Sequence, residues 1–127
     1  IIRHVEERGL EYTDYGTYTD ESCDYPVYGK AVARAVQSGE CERGIIICGT
    51  GIGISVTANK FKGIRAALCT NTFMAEATRL HNNANILAMG GRVTSVEDAL
   101  KIADVFLDTP FSNEERHIRR ISMIEED

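Results

Sequence analysis

Cys48 stands directly after the apolar run Ile45-Ile46-Ile47 and directly before Gly49-Thr50-Gly51-Ile52-Gly53. A thiol in that place can serve as a nucleophile or a base. A glycine turn between a buried strand and a helix presents bare backbone N–H groups and the positive end of a helix dipole. A phosphate, a developing oxyanion or a thiolate would be stabilised there. A cysteine at a strand end is more often a small buried hydrophobe. The glycine loop sets Cys48 apart from Cys23, Cys41 and Cys69, which are read as structural. His81 closes a helical segment ahead of Asn82-Asn83-Ala84-Asn85. Taken alone it would complement a helix dipole, but a loop so rich in asparagine can be aimed at a site as well as at solvent. Arg116 and Arg120 are four residues apart and project from one helical face. Such a pair is either a solvated surface or a phosphate clamp, and Arg92, in Gly90-Gly91-Arg92, is a candidate third member. Either use calls for a small anionic ligand.

The glycine loop is neither of the common nucleotide motifs. Counting from Gly49, the last glycine of Gly-x-Gly-x-x-Gly would fall on Ile54, and strand 64–68 ends in Cys69-Thr70-Asn71 without an acidic residue. A P-loop closes on Gly-Lys-Ser/Thr, whereas Gly53 is followed by Ile54-Ser55.

The elements that must position these residues alternate along the chain. Residues 1–9 read as the end of an amphipathic helix closed by Gly9. A short strand is expected over 11–15. Asp24-Tyr25-Pro26 opens a helix with an Asx cap and a proline in its first turn, continuing to Ser38-Gly39. Then follow strand 45–48, helix 53–60, strand 64–69, a helix near 72–81, strand 85–89, and helices near 95–107 and 114–125. Helix-separated strands of this spacing build βαβ units. The expectation is one domain over residues 1–127, a three-layer α/β/α, Rossmann-like (flavodoxin-like) parallel sheet.

Composition narrows the function classes. The chain has 127 residues, 43% of them apolar and 26% charged, which suits an ordinary globular domain. With 14 basic against 19 acidic side chains the net charge is −5, so nucleic acid and acidic membranes are not expected partners. No apolar run approaches the roughly 20 residues of a membrane span. The four cysteines lack C-x-x-C spacing, which suggests neither a zinc site nor a redox pair. Free thiols in a reducing cytoplasm are expected.

As a set, Asp24-Tyr25-Pro26, Ile47-Cys48-Gly49-Thr50-Gly51-Ile52-Gly53, Ala58-Asn59-Lys60, Gly63-Ile64-Arg65-Ala66, His81-Asn82 and Arg116-His117 with Arg120 resemble the type B ribose-5-phosphate isomerases and the related galactose-6-phosphate isomerases. The resemblance runs through the whole chain. It implies cofactor-free, metal-free interconversion of D-ribose 5-phosphate and D-ribulose 5-phosphate through an enediolate, in the pentose phosphate pathway. It assigns Cys48 as the base that moves the proton. Gly49, Gly51 and Gly53 become oxyanion donors with the Thr50 hydroxyl beside them. His81 opens the sugar ring, Asn82, Tyr25 and Asp24 are substrate-binding positions, and Arg92, Arg116 and Arg120 hold the phosphate. One branch of the family has a glutamate base where this chain has Ile54, which leaves Cys48 as the base in the loop. A homodimer, or a dimer of dimers, is implied, with the His81 loop of one chain reaching the Cys48 loop of its partner. The apolar Ile118, Ile121 and Ile124 of the last helix suit such an interface. Alternatives are an isomerase of a hexose 6-phosphate (allose or galactose) and a sugar-phosphate-binding homologue without turnover.

Three departures from the family pattern carry expectations. Asn83 replaces an aspartate, and Asn113-Glu114-Glu115 replaces glycines ahead of Arg116; the two carboxylates are expected to face out, away from the clamp. The family also begins with a strand and an Asp-His motif, whereas Ile1 falls mid-helix. The natural protein is therefore expected to carry one more strand, a turn and half a helix. In the flavodoxin-like order 2-1-3-4-5 that strand would lie between strands 11–15 and 45–48. Those two would then be about 10 Å apart, and their direct pairing would contradict the topology.

Overall fold

The computed structural model describes residues 1–16 and 24–126, so Cys23 lies outside the described residues. Three strands, β1 (Gly44–Cys48), β2 (Ala66–Leu68) and β3 (Ile86–Gly90), form a parallel sheet in the order β1-β3-β2. Among the described residues six helices surround it: α1 (Ile2–Glu7), α2 (Tyr25–Gln37), α3 (Ile52–Ala58), α4 (Thr72–Asn82), α5 (Val96–Asp108) and α6 (Glu115–Glu125). The central strand β3 has no polar side chain and is buried along its whole length. Its alternate residues serve two cores. Ile86 and Ala88 pack with Ala33, Val36, Ile46, Ile54 and Ala58 beneath α2 and α3. Leu87 and Met89 pack with Ala75, Ile102, Ala103 and Phe106 beneath α4 and α5. This is the expected three-layer α/β/α arrangement.

Three expectations need correction. The strand order departs from the flavodoxin-like one, because the last strand inserts between the two that precede it. Burial explains this. Ile86-Leu87-Ala88-Met89 can fill both cores, whereas the Ala66-Ala67-Leu68 stretch is only half buried and sits at the edge. Residues 11–15 form no strand, and among the described residues β1 pairs with β3 alone. A strand is defined by its ladder, and among the described residues no ladder joins this segment to the sheet. A cleft of about 1370 Å³ is lined by residues 10–16 on one side and Gly44–Ile47 on the other. Asp24 occupies the N-cap of α2 but makes no side-chain cap bond. The second helical position is Pro26, which has no N–H, and Val27 N donates to the Asp24 carbonyl at 3.1 Å instead.

Asparagines close the exposed edge of the sheet. The Asn59 carboxamide accepts from Ala66 N (2.8 Å) and donates to Ala66 O (3.0 Å), as a neighbouring strand would. Asn85 bridges Arg65 N (2.8 Å) and Gly63 O (2.9 Å). Asn83 caps α4 in the left-handed region at φ 47° and accepts from the buried Arg79 at 2.8 Å. The asparagine-rich loop thus spends most of its polar groups on the fold.

Candidate active site

Cys48 is the last residue of β1, at the carboxyl end of the sheet where open α/β folds bind ligands. Its half-buried Sγ accepts from Gly51 N at 3.2 Å, which fixes the sulfur over the turn. Gly51 is the N-cap of α3 at φ 84°; a Cβ there would lie 2.5 Å from Leu68 Cδ1 and 2.8 Å from the Met89 carbonyl carbon. Only glycine fits that conformation and that gap. The Thr50 hydroxyl accepts from Ile52 N at 3.2 Å. Backbone bonds from Gly91 N to Cys48 O (2.8 Å) and from Arg92 N to Gly49 O (2.9 Å) lace the loop to the end of β3. The Arg92 side chain consequently lies across Gly49. The Tyr25 ring closes the other side, with its hydroxyl 2.6 Å from where a Gly53 Cβ would stand. Asp24, next to it, is exposed. Cys48, Gly49, Thr50, Gly51, Gly53, Tyr25 and Arg92 therefore share one end of the molecule.

A second group gathers on α4 and α6. His81, exposed in the last turn of α4, has its ring centroid 4.6 Å from that of His117. His117 is only 4% exposed. Its Nδ1 lies 2.7 Å from Ser112 Oγ, and its Nε2 accepts from Arg116 Nε at 3.3 Å. Burial foremost, and then the neighbouring His81, Arg116 and Arg120, push the His117 pKa below the ordinary histidine value, against the pull of Glu114. A neutral imidazole there can accept from Arg116. Arg120 is exposed one turn further along. Glu114 corrects the expectation of outward-facing carboxylates: its Oε2 lies 3.1 Å from Arg116 Nη2. The Arg116 guanidinium and the start of α6 draw this exposed carboxylate onto the clamp, whereas Glu115 is exposed and makes no such pair. Cys69 is buried, and its thiol is pushed up to about 11, which suits the structural role given it.

Topology keeps the two groups apart within one chain. α4 leaves the carboxyl end of β2 and returns to the amino end of the parallel strand β3, so it runs the full depth of the sheet. Cys48 pairs with Gly90 at one end of β3, and His81 and Asn82 precede Ile86 at the other. Five residues of strand separate those ends by about 13 Å. A cavity of about 620 Å³ lined by Asn82, Arg65, Lys60 and Glu125 includes neither Cys48 nor Arg92. Among the described residues no three His, Cys, Asp or Glu side chains are grouped to hold a metal ion, and no helix is long and apolar enough to cross a membrane.

The family described as ribose/galactose isomerase matches residues 1–124. The chain belongs to that family. Its similarity to ribose-5-phosphate isomerase B of Escherichia coli is 47% identity over 124 residues, covering 98% of this chain and 83% of that protein. A galactose-6-phosphate isomerase subunit of Clostridium acetobutylicum is 41% identical over 126 residues, covering 99% and 73%. The solved structure of ribose-5-phosphate isomerase B from Clostridium thermocellum superimposes with a TM-score of 0.95 at 52% identity, covering 98% of this chain and 83% of that one.

Within this ribose/galactose isomerase, His117 is a buried neighbour of the candidate group to which the sequence motif alone gives no role. A signal existed. If Arg116 and Arg120 share the outer face, His117 and Ile121 share the next one inward, and a histidine stacked over an isoleucine points into the fold.

Proposed function

We propose that the protein interconverts D-ribose 5-phosphate and D-ribulose 5-phosphate without a cofactor, at a site that two copies of the chain complete together. The observation that carries this reading is the separation of the two groups: the Cys48 loop and the His81–Arg116–Arg120 group lie at opposite ends of one sheet. A two-fold dimer that sets one group against the other makes two equivalent whole sites. Apolar side chains at both ends support a second copy as the occupant. Ile52, Phe73, Val93 and Val96 are exposed around the Cys48 end, and Ile118 and Ile124 are exposed on α6. Left in water, such side chains forgo about 1.5–3 kcal/mol each.

In this scheme His81 of the second copy shuttles the proton that opens the furanose. The Cys48 thiolate then takes the C2 proton, the electron pair forms the C1–C2 double bond, and negative charge moves to O1. The Thr50 hydroxyl and backbone amides of the glycine turn stabilise that oxygen, where fixed donors count most. Return of the proton from Cys48 to C1, with the O2 hydroxyl proton passing to O1, gives the ketose. Arg92, with Arg116 and Arg120 of the second copy, holds the phosphate. Cys41, Cys48 and Cys69 are free thiols, in keeping with a reducing cytoplasm.

A hexose 6-phosphate is the second reading, favoured by the similarity to a galactose-6-phosphate isomerase subunit. A coupled assay comparing ribose 5-phosphate, allose 6-phosphate and galactose 6-phosphate decides between them. The highest kcat/KM is expected for the pentose phosphate. A hexose phosphate turned over at least tenfold better would replace that reading, and turnover of none would leave a binding protein.

A further inference from the structure

Glu114 precedes α6, and its carboxylate turns back onto Arg116, a cation that the proposed reaction needs, and lies beside the neutral His117. Oε2 lies 3.1 Å from Arg116 Nη2 and 3.5 Å from His117 Nδ1. The backbone around it is fixed: Glu114 N donates to Ser112 Oγ at 3.2 Å, and Glu114 O accepts from His117 N and Ile118 N, both at 3.0 Å. Arg116 is fixed as well, because its Nε is committed to His117 Nε2. The guanidinium therefore offers its Nη edge, and Glu114 occupies that edge. Carboxylate and phosphate use the same donors of a guanidinium, so the two anions compete for one place.

We propose that Glu114 is an intramolecular competitor for the phosphate-binding edge of Arg116 and sets how tightly this enzyme holds its anionic substrate. The proposal rests on the reading of Arg116 as a phosphate ligand. Both side chains of the pair are more than half exposed, at 61% for Arg116 and 54% for Glu114, so the pair is screened and opens readily. The displaced carboxylate stays near. At about 6 Å in a water-like medium, a carboxylate and a phosphate dianion repel enough to change a binding constant about tenfold. Salt screening brings that toward threefold. Glu115 carries the same charge one residue away but has no ion pair with Arg116.

The test uses E114Q and E115Q in the full chain, with two readouts at fixed ionic strength. One is the dissociation constant of inorganic phosphate by titration calorimetry; the other is KM and kcat for ribose 5-phosphate. E114Q should tighten phosphate about threefold to tenfold and lower KM by a similar factor, with kcat changing less than KM. E115Q should move neither constant by more than about twofold. Phosphate binding that is unchanged or weaker in E114Q overturns the proposal, as does an equal gain in E115Q, which would make the effect one of net charge. Phosphate bound more tightly by E114Q, in a protein whose wild type isomerises no sugar phosphate, would sink the proposed activity and leave this proposal standing.

Discussion

Replacing Arg79 by leucine should be among the most damaging single changes in the fold. Arg79 is 4% exposed. Its guanidinium donates to Thr109 O at 2.9 Å, Asn83 Oδ1 at 2.8 Å and Ala84 O at 2.7 Å, and it lies over the Phe106 ring. It thereby ties the end of α4 to the end of α5. Burial, with some help from Arg43 and Arg65, pushes its pKa down to about 10, which still leaves it charged at neutral pH. A hydrogen bond from a charged donor contributes at least about 1.5 kcal/mol, so losing three removes about 4.5 kcal/mol. The apolar body of leucine returns about 1 kcal/mol. The net loss is about 3–4 kcal/mol, a large part of the 5–15 kcal/mol that stabilises a typical domain. Urea unfolding followed by circular dichroism, at one fixed protein concentration because assembly shifts apparent stability, measures it. Arg79→Lys, which keeps the charge and about one of the three bonds, should lose about 3 kcal/mol, the worth of the other two. A loss below about 1 kcal/mol for Arg79→Leu would refute the assignment of Arg79 as the tie between these helix ends.

Two further outcomes follow from the site. Because the folded pKa of His117 lies below its unfolded value of about 6.5, the unfolded chain binds the proton first as pH falls. Its contribution to stability is therefore whole above about pH 6.5 and declines below it; His117→Gln should show a flatter pH dependence of urea midpoints there, and an unchanged slope would contradict the buried neutral imidazole. Gly51→Ala should cost about 2–4 kcal/mol, from about 1–2 for the left-handed backbone plus crowding against Leu68 and Met89, and thermal unfolding in which the variant matched wild type would show that the turn relaxes freely.

Much of the fold was legible because the signals are local. The apolar Ile45-Ile46-Ile47 run, the proline at the start of α2 and the glycine at φ 84° after Cys48 each dictate the backbone where they stand. Strand order was not legible that way. A helical crossover constrains handedness and direction, not which neighbour a strand finds, and only the all-apolar content of β3 hints at its central place. Residues 11–15 show the same limit, since extended sequence becomes a strand only through a partner. At the candidate site, residue types single out Cys48, His81 and the arginines, and the glycine loop marks a turn that favours negative charge. Sequence could not say that Asn83 and Asn85 would be spent on Arg79 and Arg65, nor that Glu114 would pair with Arg116. Those outcomes depend on contacts between elements that are distant along the chain or on the field of a helix end.

The shared site is tested most directly by mixing two inactive proteins, Cys48→Ala and His81→Ala. After subunit exchange verified by native mass spectrometry, half of the dimers are mixed, and each mixed dimer carries one site with both residues intact. About a quarter of wild-type activity should return, as two-fold symmetry requires. Mixtures that remain as inactive as their parents after verified exchange would contradict a site built from the Cys48 loop of one copy and the His81 loop of another.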